Sequence, residues 1–311
     1  MKLPGLGRLR TAWQTANAIS GQLETVQLAL GRIESRQLAN VPAGQLAAAE
    51  FKVWSQWGED GIIEHLLRHV AIANTVFVEF GVQDYSEANT RFLLRNRNWS
   101  GLIFDGSEEN IARVRRDSVY WQHDLTAQAA FITRDNINAL ISDQGVSGDI
   151  GLLSIDIDGN DYWVWEAISI VSPRIVIVEY NALFGPTAAV SIPYDAGFKR
   201  SQAHFSNLYW GCSLRALEYL GKRRRYVLIG CNSNGNNAFF VRDDVAAPFT
   251  TAVDLFRPSR FRESRSADGG LSFLSGSAAL EQIGYLPLVD VGTLETKTVA
   301  EFVPTNDASK T

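Results

Sequence analysis

Residues 75–90 read TVFVEFGVQDYSEANT, and the fold is decided there. Residues 76–80 are apolar except for Glu79, as expected of a strand buried on both faces. Gly81 follows at the strand exit, where a missing Cβ lets backbone approach a ligand. The polar turn after it leads into a helix that Ser86 is placed to cap, running through Asn96. Strand, glycine, turn and helix in that order are the opening unit of an open parallel sheet. Such sheets bind nucleotide-like ligands outside the carboxyl ends of their strands. Glu79 is the anomaly, because an unpaired charge inside an apolar strand is costly.

Residues 99–107, WSGLIFDGS, supply a second strand ending in Asp105, which lies 105 − 79 = 26 residues after Glu79. An acid at the end of the second strand binds ribose hydroxyls in dinucleotide folds. The glycine pattern that a pyrophosphate needs is absent, since Gly81 is followed by Val82, Gln83, Asp84, Tyr85 and Ser86. A nucleoside without pyrophosphate therefore fits better than a dinucleotide. Ser107 caps the next helix, with Glu108 and Glu109 in its first turn and Arg113, Arg115 and Arg116 in its last, matching the helix dipole. Residues 119–121 read as a short third strand. Residues 150–157, IGLLSIDI, are the fourth, running into Asp158, Gly159, Asn160 and Asp161. Residues 175–180, IVIVEY, are the fifth, ending beside Asn181. Parallel topology brings Asp156, Asp158, Glu179 and Asn181 to the same edge as Glu79 and Asp105.

VEFGVQD, LIFDGS and SIDIDGND together resemble the class I S-adenosylmethionine-dependent methyltransferases, specifically the FkbM-like group, over residues from about 50 to 242. The resemblance implies an α/β fold: a doubly wound, mostly parallel, seven-stranded Rossmann-like sheet with a terminal antiparallel hairpin. Residues 226–230 and 238–242 flank an Asn-Gly turn at the place expected for that hairpin. Later glycines found in many class I enzymes are absent, with Tyr85 near one such place. The resemblance further implies S-adenosylmethionine as cofactor, held by Glu79, Gly81, Asp84, Asp105, Ser107, Asp124 and Asp156. Asp124 is read either as the acid meeting the adenine amino group or as the cap of the next helix. The implied acceptor is a sugar hydroxyl of a surface polysaccharide or a glycosylated natural product.

A sugar hydroxyl needs a base or a metal to remove its proton. Asp156, Asp158 and Glu179, with Asn181, form a candidate site for Mg²⁺ or Mn²⁺, because oxygen-only donors suit hard cations. The alternative reading has Asp156 ordering the cofactor's amino group while Asp158 and Asp161 cap the helix starting near Tyr162. The base is His204, in the connection 183–205 read as a lid or substrate loop, or else Asp158. Tyr162, Trp163, Trp165, Tyr180, Phe184 and Tyr194 are either sugar-stacking or core residues. His65 and His69, four apart on a helix spanning 55–70, could bind zinc, but without a third ligand they read as a solvated face. Rival readings are a non-catalytic, oligomerising scaffold in a glycan-assembly complex and a NAD-dependent sugar oxidoreductase, the latter opposed by the missing glycines and the hairpin.

The 311 residues are 46% hydrophobic and 20% charged, enough for one large domain with additions. The net charge of −5 argues against a nucleic-acid partner. Two cysteines, Cys212 and Cys231, make no disulfide framework and point to a cytoplasmic setting. No apolar run suggests a signal peptide or a transmembrane segment. In residues 6–38, Leu9, Ala16, Leu23 and Leu30 are seven apart, as are Ala12, Ile19, Val26 and Ile33, three further on. This a/d seam predicts a coiled-coil-like helix in residues 1–40 and a homo-oligomer through residues 6–38. Packing on its own domain is the competing reading, and peripheral membrane association, from Lys2, Arg8 and Arg10, the third. Residues 40–44 read as a linker, 45–243 as the methyltransferase domain and 244–311 as a C-terminal extension. That extension carries Arg257, Arg260, Arg262 and Arg265, a phosphate-binding cluster or a solvated tail, and a disordered end at 301–311.

Overall fold

A computed structural model of the chain describes residues 6–249 and 255–303. Its centre is a seven-stranded sheet. The strands are β1 (Val76–Phe80), β2 (Ser100–Asp105), β3 (Leu125–Ala129), β4 (Gly148–Ile155), β5 (Val171–Glu179), β7 (Tyr226–Cys231) and β8 (Asn237–Arg242), and β6 (Val190–Ser191) lies outside it. Their spatial order is β3-β2-β1-β4-β5-β8-β7. β3, β2, β1, β4 and β5 pair in parallel, while β8 runs against both β5 and β7. The strand order reverses between β1 and β4, and in sheets of this kind the crevice outside their carboxyl ends is where a ligand binds.

Apolar runs such as IVIVE in β5 are buried on both faces, so helices cover the sheet on either side. One face packs Val78, Phe104, Val176 and Trp165 into a core, and the other packs Phe77, Ile103, Ile177 and Leu66 into a second. The helix Glu59–His69 covers this second face. Its His65 is fully buried, with Nε2 3.1 Å from the Ala43 carbonyl and its ring 4.7 Å from that of His69. The pair is therefore not a solvated face. Ala43 and Leu46 fold back over the helix, which a helix-period reading of 55–70 alone does not reveal.

Two boundaries differ from the sequence reading in ways that matter for the site. Residues 119–121 lie in the helix Ser118–Gln122, whose N-terminal Asp117 caps it by accepting from Val119 N. The third strand starts six residues later, at Leu125. The connection read as ending at residue 205 likewise runs on to Ser213, whose side chain accepts from Ala216 N and caps the helix Leu214–Arg223.

A second, three-stranded sheet joins β6 to β9 (Pro287–Asp290) and β10 (Thr296–Thr298) in the order β10-β9-β6. It ties residues 190–191 of the long connection to the C-terminal extension. Phe184, Val190, Tyr209, Leu280, Leu288 and Val299 share one apolar cluster there. Residue 301, read as disordered, belongs to the helix Val299–Phe302, whose capping box pairs Thr298 with Glu301. Residues 304–311 lie outside the described residues. Among those described, no helix is long and apolar enough to cross a membrane.

Gly81 sits where the exits of β1 and β4 meet. Its φ is +75°, and a Cβ there would lie 1.5 Å from the Asp156 carbonyl oxygen. Backbone cannot retreat as a flexible side chain can. Gly81→Ala is expected to destabilise the fold by roughly 3 kcal/mol or more, through left-handed strain plus overpacking. Urea unfolding checks this, and a loss within ~0.5 kcal/mol contradicts the packed crevice.

Candidate functional site

A cavity of about 780 Å³ opens at the carboxyl edge of the sheet, within the size range of small-molecule sites. Its floor is made by strand exits: Gly81 and Gln83 after β1, Asp105 and Gly106 after β2, Ala130 to Ile132 after β3, Asp156 to Asp158 after β4 and Glu179 to Leu183 at the end of β5. Its roof comes from Phe198, Arg200 and Trp210 of the long connection, and from residues 258–263 and 274–276 of the extension. Tyr180 supports this roof, donating from its hydroxyl to the Arg257 carbonyl at 2.7 Å.

The acids predicted for the cofactor fall into different roles. Asp105 lines the cavity. Its Oδ2 accepts from Gln83 N at 2.8 Å, and its Oδ1 accepts from Ser107 N at 2.8 Å and Asn110 Nδ2 at 3.0 Å. It thereby locks the loop after β1 to the end of β2 and keeps lone pairs for a ligand, since a carboxylate has about four. Glu79 is buried beneath the cavity, outside its lining. It accepts from Asn89 N at 2.9 Å, from Thr90 N at 3.2 Å and from the Thr90 hydroxyl. That pairing resolves the anomaly of an acid in an apolar strand. Burial pushes its carboxyl up to about 7.

Asp84, Ser107 and Asp124 are also outside the cavity lining. Asp84 accepts from the backbone and hydroxyl of Ser86, and Ser107 caps the helix Glu108–Arg116. Asp124 precedes β3, so it lies at the amino edge of the sheet, bonded to the Ser100 hydroxyl at 2.6 Å. The misplaced third strand produced that reading. The residues that do follow β3 into the cavity are Ala130, Phe131 and Ile132, an apolar wall with no acid.

The acidic cluster is real and tight. Oxygens of Asp156, Asp158 and Glu179 all lie within 4.8 Å of one another. Glu179 is more than nine-tenths buried, and its Oε2 has no hydrogen-bond partner among the described residues. Burial, then the charges of Asp158 and Asp161, raise the Asp156 carboxyl well above its ordinary value. Burial, then the charge of Asp156, does the same to Glu179.

Asn181 does not join the cluster. Its amide donates to the Leu208 and Trp210 carbonyls at 3.1 Å each and its oxygen accepts from Leu183 N, so it braces the connection. Asp161 is a loop brace too, accepting from Ile157 N and Gly159 N at 2.9 Å each. Burial pushes it up to about 6. Asp158 caps nothing. It stands at φ +55° with Oδ1 2.6 Å from Nη1 of Arg200. Burial works against the charge on Arg200, but Asp158 and Glu179 outweigh it and hold that pKa above the ordinary.

His204 lies outside the cavity. It is buried against Phe205, its Nδ1 accepts from Ser206 N at 3.2 Å, and burial lowers its pKa. Its position in the connection suggested a base; its surroundings make it a packed turn residue. Of the six aromatics, Tyr162, Trp163, Trp165, Tyr180 and Phe184 are core, and only Tyr180 reaches the cavity. Tyr194 stacks under Arg134 at 4.0 Å. The aromatic surface of the cavity comes instead from Phe131, Phe198, Trp210 and Phe261. Arg200, stacked 4.8 Å from the Trp210 ring, was also missed. No local spacing marks these residues, because segments 198–210 and 258–263 reach the cavity only through tertiary packing. Of the arginine cluster, Arg260 and Arg262 line the cavity, while Arg265 pairs with Glu263 at 3.1 Å.

No protein-family model matches the chain, and no curated protein matches it. Among solved structures, the chain is similar to the N-terminal domain of EvdMO1 with SAH bound, at 10% identity over 68% of this chain and 94% of that one, with a TM-score of 0.39. It is also similar to an S-adenosylmethionine-dependent methyltransferase from Clostridium acetobutylicum ATCC 824, at 12% identity over 64% and 95% of the two chains, with a TM-score of 0.37. Likenesses this shallow add nothing to the strand order already described.

The folded pKa of Glu79, about 7, lies above the ordinary value of 4.5. Its contribution to stability is therefore fully present below the unfolded pKa and lost as pH rises through about 7. Replacing it with glutamine removes that titration. The cost of Glu79→Gln, measured by urea unfolding, is expected to be largest at pH 5 and to shrink towards pH 8. A cost that grows over that range contradicts the buried, raised carboxyl.

Proposed function

We propose that the protein is an S-adenosylmethionine-dependent O-methyltransferase acting on a sugar hydroxyl, assisted by a divalent cation held at Asp156, Asp158 and Glu179. The observation that carries this reading is the division of one cavity into two chemically different halves at the β1–β4 crevice. One half has Gly81 and Gly106 backbone, the Asp105 carboxylate and the Phe131 ring, which suit a nucleoside. The other has the carboxylate triad under an aromatic roof, which suits a polyol. The sheet order with its antiparallel β8 agrees with the resemblance in residues 50–242.

The chain's residues fit both absent groups. S-adenosylmethionine supplies an electrophilic methyl on a sulfonium. Its ribose hydroxyls would meet the unused lone pairs of Asp105, and its positive charges would face the acidic half. A divalent cation would be held by Asp156, Asp158 and the unpartnered Oε2 of Glu179, where it would lower the pKa of a bound hydroxyl. Without a cation, Asp156 and Glu179 hold protons more readily than ordinary carboxyls, because burial and the charges of neighbouring carboxylates raise both pKa values. With one proton shared between them, the Asp156–Glu179 pair keeps one carboxylate able to accept a proton from an acceptor oxygen. Asp158 is ion-paired to Arg200 at 2.6 Å. The Phe198, Trp210 and Phe261 rings of the roof offer faces for a sugar ring. In-line attack requires the acceptor oxygen about 3 Å from the methyl carbon.

The glycines missing after Gly81 are one feature that favours the rival scaffold reading. Gln83 and Tyr85 take positive φ values of 49° and 61° without them, and the loop they form is tied to Asp105 and Thr90. A loop kept in strained geometry by buried bonds favours a site in use.

The test is transfer of an isotopically labelled methyl group from S-adenosylmethionine to a panel of sugar nucleotides and polysaccharides, with and without chelator. The expected result is a methyl ether on a sugar oxygen, with Glu179→Gln lowering kcat by about 10²-fold or more. No transfer to any sugar, alongside transfer to a non-sugar hydroxyl or amine, contradicts the acceptor assignment. The cation is checked separately by thermal denaturation. Mg²⁺ or Mn²⁺ should raise the melting temperature of the wild type but not of Asp156→Asn/Glu179→Gln, and equal responses contradict the site.

A further inference from the structure

Among its described residues, the N-terminal helix Leu6–Gln37 carries two stripes, of which the domain uses one. Glu24, Leu28, Gly31, Ser35 and Leu38 recur at intervals of four and three along the face turned to the domain. Leu28 packs with Val53, Trp54 and Phe92, and Gly31, Ser35 and Leu38 are buried. A Cβ on Gly31 would lie 2.6 Å from Val53 and 2.7 Å from Phe92, so the helix is seated closely. Glu24 bonds Arg95 at 2.6 Å and Arg32 bonds Asn96 at 3.0 Å along the same contact.

The a/d seam read from the sequence is not this face. Ile19, Leu23, Val26, Leu30 and Ile33 are 51%, 59%, 54%, 56% and 48% exposed. Five large aliphatic side chains in a 4-3-4-3 row, on the side of the helix away from its own domain, are an unpartnered seam. The packing that competes with self-association is thus satisfied by other residues, and the seam remains open.

We propose that this seam is the interface with a second copy of the chain, forming a coiled coil through residues 19–33. The width of the stripe argues for a helix as its occupant. It is a strict a/d row, two positions in seven, whereas a helix lying on a membrane presents a broader apolar face flanked by lysine and arginine. Here the flanking positions between 19 and 33 are Ser20, Gln22, Gln27 and Ala29, none charged. Charge matching argues for a like helix. In a parallel pair the residues facing across the seam are Gln22 with Gln27 and Ala29 with Glu34, and no like charges meet. Aliphatic residues at every a and d position from 19 to 33 let the seam match its own copy without a polar mismatch. Leu at a with Ile or Val at d leans towards more than two strands when the helices are parallel.

Sedimentation equilibrium of the full chain at micromolar concentration tests this. The wild type is expected at twice 34.4 kDa or a higher multiple. Leu23→Glu/Leu30→Glu is expected at 34.4 kDa, with the near-ultraviolet circular dichroism of the domain retained. Leu23→Ala/Leu30→Ala, which keeps helix propensity, is expected to weaken self-association at least tenfold and guards against misfolding of the charged pair. Thr25→Lys, exposed and off the seam, is expected to leave the mass unchanged. A wild-type mass of 34.4 kDa overturns the proposal, as does an oligomer insensitive to both leucine pairs. So does a monomer that co-sediments with phosphatidylcholine–phosphatidylglycerol vesicles through the same leucines.

Discussion

The arrangement depends on a backbone contact between two strand exits. Gly81, leaving β1, presses on the Asp156 carbonyl, leaving β4, with no room for a Cβ between them. The two strands are neighbours at the point where the sheet order reverses, so the chains that follow must part in opposite directions. One parts towards β2, where Asp105 catches the backbone of Gln83. The other turns over Asp161 and brings Gly159 under the Phe198 ring of the roof. The cavity is the space left between them.

Most of the acids around that space are occupied in holding it open. Glu79, Asp105 and Asp161 each accept backbone N–H groups from a loop, and Asp60 does the same for Val53, Trp54 and Ser55 below. Charge-assisted bonds of this kind are among the stronger ones available to a loop. Asp156 and Glu179 differ. They face each other rather than backbone donors, and Glu179 keeps an oxygen with no partner among the described residues. That contrast separates the carboxylates that brace loops from those that do not better than position at a strand end does.

The sheet was legible in the sequence because buried parallel strands are written as uninterrupted apolar runs bounded by glycine and acid. VFVEF, SGLIFD and IVIVEY carry that signal, and the hairpin carried it through Asn-Gly. LTAQA, the actual third strand, does not, because β3 is an edge strand with alternating small and polar residues. The apolar triplet at 119–121 displaced it, and Asp124 was misread as a consequence. Asp156, Asp158 and Glu179 were legible because strand ends in a parallel sheet share an edge. The roof was not, because Phe198, Arg200, Trp210 and Phe261 come from segments that meet through contacts distant in sequence, such as Arg260 N donating to the Asn234 carbonyl and Arg265 N to the Ser206 carbonyl. His204 illustrates the same limit: chain position placed it near the site, and packing turned it away.

The proposed function requires the Gly81–Asp105 half of the cavity to take a sulfonium nucleoside. Calorimetric titration of the full chain with S-adenosylhomocysteine tests it most directly, run in parallel on Asp105→Ala. One-to-one binding in the micromolar range or tighter is expected, reduced at least tenfold by the substitution. Absence of binding to a folded wild-type protein, or equal affinity in the two, would contradict it.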